Sequence, residues 1–92
     1  MRLIWRQSAR EDLRATAAFI AERNVQAAID LRDRVNSVAE RLTEFPFMYR
    51  RGRIIGTREA VVHPNYILVY RVGADTVEVV NVLHTRREYP PG

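Results

Sequence analysis

The chemistry-bearing side chains of this chain gather near its C-terminus, in His84-Thr85-Arg86-Arg87-Glu88-Tyr89. A histidine can serve as a general base, paired arginines can stabilise a phosphorane-like charge, and a tyrosine can stack on a base or donate a proton. Together these are the smallest set able to cleave RNA through its own 2′-hydroxyl without a metal. The same residues could instead form a salt-bridged cap, with Glu59 and Glu88 neutralising the arginines. The other histidine, His63, stands alone, and a solitary histidine is commonly a hydrogen-bonding group of the fold. Arg50, Arg51 and Arg53 surround Gly52 and could contact an anion, or simply be solvated. There is no Gly-rich phosphate loop, no nucleophile elbow and no metal-ligand spacing, so neither a metal nor any other cofactor is expected.

The elements that must position these groups follow from hydrophobic periodicity. Residues 65–87 read as two strands around a turn containing Gly73 and Asp75. Tyr66, Leu68, Tyr70 and Val72 alternate with Ile67, Val69 and Arg71; Val77, Val79 and Leu83 alternate with Val80 and Val82. Strands apolar on both faces belong in the middle of a sheet. Residues 57–63 read as a further strand, ended by the turn at His63-Pro64-Asn65. Residues 2–6 form a short strand with Trp5 or its neighbours toward a helical layer.

Between that first strand and residue 57 lie two helical patterns. Ser8 and Glu11 match a capping box for a helix over residues 9–23, with Leu13, Ala17 and Ile20 at helical spacing and Phe19 off that stripe. Asn24 is a good N-cap for a second helix over residues 25–45, striped by Ala28, Leu31, Val35, Val38, Leu42 and Phe45 and closed by Pro46. Asp30 and Arg34 are spaced to pair on its solvated side. The expected fold is α+β, in the order β-α-α-β-β-β. A mostly antiparallel sheet packs against an N-terminal helical hairpin in two layers.

Ninety-two residues suit a single domain spanning 1–92. With no cysteine, neither a disulfide framework nor a thiolate site is possible. The longest apolar run near the N-terminus is three residues, too short for a signal-peptide core or a membrane span, so a cytoplasmic protein without a membrane partner is expected. All fifteen basic residues are arginine and the net charge is +4. The charge is segregated: residues 1–10 carry three Arg and no acid, residues 11–49 five Arg against seven acids, and residues 50–92 seven Arg against four acids. A basic sheet beside a mildly acidic helical part suggests an acidic or polyanionic partner.

Residues 56–62 (GTREAVV), 66–72 (YILVYRV) and 82–88 (VLHTRRE), in this order and spacing over about ninety residues, resemble the RelE/ParE toxins of bacterial type II toxin–antitoxin modules. The resemblance covers essentially the whole chain, although no single motif is specific. It implies either of two activities: ribosome-dependent mRNA cleavage, as in RelE-like members, or poisoning of DNA gyrase, as in ParE-like members. RelE-like nucleases tend to place an arginine after the first tyrosine of the Y-x-x-V-Y strand, where this chain has Ile67. They also carry two basic residues one position apart on the preceding strand; Arg58 matches the first, and Ala60 stands at the second. Arg87 matches the basic residue of the last strand and Tyr89 loosely matches the C-terminal aromatic. The Leu83-His84-x-x-Arg87 ending resembles ParE-like members.

The resemblance therefore favours a gyrase poison, with Arg58, His84, Arg86, Arg87 and Tyr89 as target-binding residues. The alternative is a nuclease with His84 as base, Arg58 and Arg87 on the phosphate, and Tyr89 assisting. A third option is an inactive or immunity-type relic. In any case the resemblance implies a cognate antitoxin in a hetero-oligomer, docking a helix against the helical hairpin or adding a strand to the sheet. Leu13, Ala17, Phe19, Ile20 and Val35 are the candidate contacts.

Overall fold

A computed structural model describes residues 1–85. The expected Arg86, Arg87 and Tyr89 contributions, and the neutralising role of Glu88, lie outside the described residues. The chain runs β1 (Arg2–Trp5), α1 (Gln7–Ala21), α2 (Val25–Leu42), β2 (Arg50–Arg51), β3 (Arg58–His63), β4 (Tyr66–Val72) and β5 (Thr76–His84). The five strands form one sheet in the order β1-β5-β4-β3-β2, and the two helices cover one of its faces. Three of the four pairings are antiparallel, and β1 runs parallel to β5; the two helices carry the chain from β1 at one edge of the sheet to β2 at the other.

The expected α+β architecture is thus present, with one strand more than expected. Arg50–Arg51, loop by its sequence, pairs with β3 through Arg50 opposite Glu59 and Arg51 opposite Arg58. Two arginines carry no strand signal of their own; their pairing comes from tertiary context.

Local signals succeed or fail according to what else competes for the same group. Asn24 caps α2, its side chain accepting from the Ala27 amide at 3.0 Å. The capping box of α1 does not form. Arg6 is the N-cap, and the Ser8 hydroxyl, already inside the helix, donates to the Val80 carbonyl of β5 at 2.7 Å. Glu11 accepts from Gln7 instead. Likewise Asp30 accepts from Gln26 rather than pairing with Arg34. Helix α2 stops at Leu42, where the Thr43 hydroxyl takes the Glu40 carbonyl, and the chain turns three residues earlier than expected. Phe45 consequently leaves the stripe and is exposed.

The helix-side core joins Leu31, Val35, Ala39 and Leu42 of α2 to Ala60, Val62, Tyr66, Leu68, Tyr70, Val77, Val79 and Val82 of the sheet, with Leu3 and Trp5 packed against it. A second apolar cluster, Ile67, Val69, Val80 and Leu83, belongs to the opposite face of the sheet. The division differs from strict alternation along β5. Val69 pairs with Asn81 and Tyr70 with Val79, so Val80 is the extra residue of a bulge and the phase flips beyond it. Val82 therefore joins Val77 and Val79 under the helices, and Leu83 joins Val80 on the other face.

Two contacts clamp helix to sheet beside that bulge. Asp12 of α1 accepts from the Val82 amide at 3.0 Å and from Asn81 Nδ2 at 2.9 Å. With the Ser8 bond to Val80, they fix how α1 crosses the end of β5, and hence what stands beside His84.

Candidate functional site

The start of β4 brings three aromatic rings together. Tyr66 lies directly opposite His84, the last residue of β5, and beside His63, the last of β3. The His84 ring meets Tyr66 edge-on at 5.1 Å between centroids, and the His63 ring stands 5.5 Å away, tilted by 52°. His63 Nδ1 accepts from the Asn65 amide at 3.0 Å. The Asn65 carbonyl accepts from the Thr85 amide at 2.7 Å, which closes the end of the sheet. A groove of about 530 Å³ opens here, walled by Asp12, Thr16 and Phe19 of α1 and by Tyr66, Val82 and His84 of the sheet.

Arg58 is at the other end of β4, paired with Tyr70. Four residues of β4 separate the Tyr70 and Tyr66 registers, about 13 Å at a strand's rise per residue. The expected joint use of Arg58 and His84 on one phosphate is not what the sheet offers. Arg58 is instead turned to the α2–β2 connection: its Nη1 donates to the Tyr49 carbonyl at 2.8 Å, and its guanidinium lies 4.9 Å from the centre of the Phe47 ring. Tyr70 fastens the same connection by donating its hydroxyl to the Pro46 carbonyl at 2.8 Å. Burial pushes the Tyr70 phenol above its usual value near 10, with the neighbouring Arg58 charge working in the opposite direction.

Glu59 is only 2% exposed. Its carboxylate accepts from the Arg50 guanidinium at 3.2 Å and from the Arg53 amide at 3.0 Å, and Arg53 Nε is 3.9 Å away. Among the described residues its partners are the loop arginines Arg50 and Arg53; the C-terminal arginines lie outside the described residues. Adjacent charge signs across a hairpin were the available signal, but only the β2–β3 register makes them partners. Among the described residues, no three His, Asp or Glu side chains come close enough to hold a metal.

The five residues expected to meet an antitoxin do not share a surface. Val35 is fully buried in the core and is not exposed to a docking partner in this fold, because it is one of the α2 residues that seat the helix on the sheet. Ile20 packs against the same core. Leu13 and Ala17 do line a second groove, of about 630 Å³, between α1 and α2. Its floor is made of small residues, Ala17, Ala18, Ala21 and Ala28, and its rim includes Arg10, Arg14 and Arg32. Phe19, 64% exposed, lies across α1 in the His84 groove. Val25 and Ile29, which sequence reasoning missed, are exposed apolar side chains on the inter-helix groove.

With both grooves placed, likeness to known proteins is informative. The family model for the ParE toxin of the type II toxin–antitoxin system parDE matches residues 3–89. This chain belongs to the ParE toxin family. It is a toxin of a type II toxin–antitoxin system. A Sinorhizobium fredii protein named "Putative toxin Y4kP" is 33% identical over 90 residues, covering 97% of this chain and 93% of that one. The Caulobacter vibrioides protein "Toxin RelE2" is 32% identical over 87 residues, covering 92% and 96%.

Solved structures agree on the fold. A chain of the chromosomal ParDE system from P. aeruginosa superposes with a TM-score of 0.80 at 16% identity, covering 91% of this toxin and 95% of that chain. The YoeB/ParE toxin from Agrobacterium tumefaciens gives 0.67 at 18% identity, covering 91% and 98%. Membership implies a cognate antitoxin. No helix among the described residues is long and apolar enough to cross a membrane.

Proposed function

We propose that this toxin acts as a ParE-like poison of DNA gyrase, arresting growth in the cytoplasm until its antitoxin neutralises it. The observation that carries this reading is Ile67. Where the nuclease pattern has an arginine, this chain has an isoleucine that is 1% exposed and packed with Val69, Val80 and Leu83. An apolar side chain in an apolar cluster supplies no charge to a cleaved phosphate, and such a charge contributes several kcal/mol of transition-state stabilisation where it is used, on the order of 3 kcal/mol. Purified toxin should inhibit gyrase supercoiling and accumulate cleaved DNA at micromolar concentration. Undiminished supercoiling would sink the proposal.

The nuclease reading draws on the groove beside His84 and on the relative named RelE2. It requires mRNA cleavage in a translating extract that disappears with His84→Ala.

The inter-helix groove is the proposed antitoxin seat. Its alanine floor lets a partner backbone come close, its apolar walls reward a helix with one apolar face, and its three rim arginines suit acidic residues beside that face. Ala28→Trp would fill the floor and is expected to abolish neutralisation.

A further inference from the structure

The turn between β2 and β3 is tied together more closely than its length requires. The Gly52 amide donates to the Thr57 carbonyl at 2.7 Å, and both the amide and the hydroxyl of Thr57 donate to the Ile54 carbonyl, at 3.1 and 2.6 Å. Gly56 turns the chain at φ 85°, a left-handed conformation open to glycine. A Cβ at Gly52 would collide with the Thr57 hydroxyl, so the two arms are in direct contact. Beneath them, buried Glu59 holds Arg50 and the Arg53 amide. At the apex of this fastened turn stands Ile55, 97% exposed, the most exposed large apolar side chain among the described residues.

The surrounding charge is equally marked. Residues 50–58 contain four arginines and no acid. Arg51 is exposed, and its cross-strand neighbour Arg58, whose guanidinium is turned to the Tyr49 carbonyl, offers it no countercharge. Arg50 pairs with the Glu59 carboxylate, and its side chain remains 61% exposed.

An isoleucine held in water by a rigid turn does nothing for the stability of the free protein, but the turn has no ordering cost left to meet on docking. A nine-residue turn is too small for the roughly 800 Å² per partner of a stable protein interface. Contacts to phosphates, in contrast, count one by one through counterion release. Single strands are gripped by aromatic stacking, and residues 50–58 hold no aromatic. An aliphatic tip flanked by arginines has the chemistry of a wedge between duplex base steps.

We propose that the 52–57 turn is a duplex-DNA element of this toxin: Ile55 inserts at a base step from the minor groove, and Arg50 and Arg51 take flanking phosphates. This goes beyond the proposed gyrase activity and does not depend on it.

The test is fluorescence anisotropy of the full chain, freed of antitoxin, on a labelled duplex two helical turns long, between about 50 and 200 mM salt. Two phosphates predict a log–log salt slope of about −1.8. Arg51→Ala should lower that slope by about one. Ile55→Ala should weaken binding by on the order of tenfold with the slope unchanged, and should abolish the bend reported by energy transfer between the duplex ends. Both side chains are exposed, so both variants should melt like the parent by circular dichroism. No duplex binding at tens of micromolar toxin, equal affinity for a single strand, equal competition by polyglutamate, or an Ile55→Ala variant that binds like the parent would each overturn the proposal. If gyrase inhibition persists in any of those cases, the gyrase reading stands without it.

Discussion

The two ends of β4 are built from similar residues for opposite purposes. At the Tyr70 end, a tyrosine and an arginine are consumed by the fold: the Tyr70 hydroxyl and the Arg58 guanidinium each hold a backbone carbonyl of the α2–β2 connection, at 2.8 Å in both cases. At the Tyr66 end, a tyrosine and two histidines meet ring to ring and border an open groove. Residue type alone does not distinguish the two. The difference lies in whether a neighbouring loop needs its carbonyls satisfied. The 46–49 connection does, because it leaves a helix and cannot pair with a strand until Arg50.

The largest expected effect comes from cutting between the ends. Leu68 is fully buried in the centre of β4 and packs in the helix-side core. Leu68→Ala should cost about 2–5 kcal/mol in chemical denaturation, and both ends should be lost together in one transition. Separate transitions for the two ends would show that they are not one cooperative structure.

Tyr70→Phe acts on one end only. It leaves the Pro46 carbonyl without its donor, a loss of about 1–2 kcal/mol. Hydrogen exchange should speed up in residues 46–50 and stay unchanged near Tyr66. Equal acceleration at both ends would erase the distinction drawn between them.

A pH series isolates the phenol itself. Folding raises the Tyr70 pKa, so above the ordinary value near 10 the unfolded chain loses a proton that the folded chain keeps. The native state then binds more protons than the unfolded one, and stability falls as pH rises from about 10 through the raised folded value. Below pH 10 this contribution is fully present. Tyr70→Phe should therefore decline less steeply than the parent above pH 10, with parallel stability curves below it. Identical slopes would mean that the Tyr70 hydroxyl is not buried against Pro46 in solution.

What sequence reveals follows the same division. The β4–β5 hairpin and the α2 stripe were legible because burial imposes a period, and Asn24 because its cap closes within three residues. The capping box at Ser8, the strand at Arg50–Arg51 and the flip after Val80 were not, since each is decided by a partner far along the chain: the Val80 carbonyl, β3, and the extra residue of a bulge. At the candidate site, His84 was legible as chemistry and Arg58 was not legible as structure. Its partners, Phe47 and the Tyr49 carbonyl, have no motif linking them to it. The pairing of Glu59 with Arg50 and Arg53 was hidden for the same reason.

At the end that looks most like a site, the contrast becomes a test of mechanism. His84 is half-buried at a strand terminus, and its contact with Tyr66 is edge-on, an arrangement a phenyl ring can also adopt. His84→Phe keeps a ring against Tyr66, and circular dichroism melting checks that the variant folds like the parent. What it removes is the imidazole, with its capacity to take a proton or accept a hydrogen bond. A poison that acts by occupying its target needs the shape of this groove, and a nuclease needs the base. Growth arrest retained on induction of His84→Phe, with DNA synthesis falling first, would assign the groove to binding. Arrest lost in a variant that melts like the parent would show that the imidazole itself is needed, and mRNA cleavage by the parent but not the variant in a translating extract would then assign it to proton transfer rather than to a contact with the target.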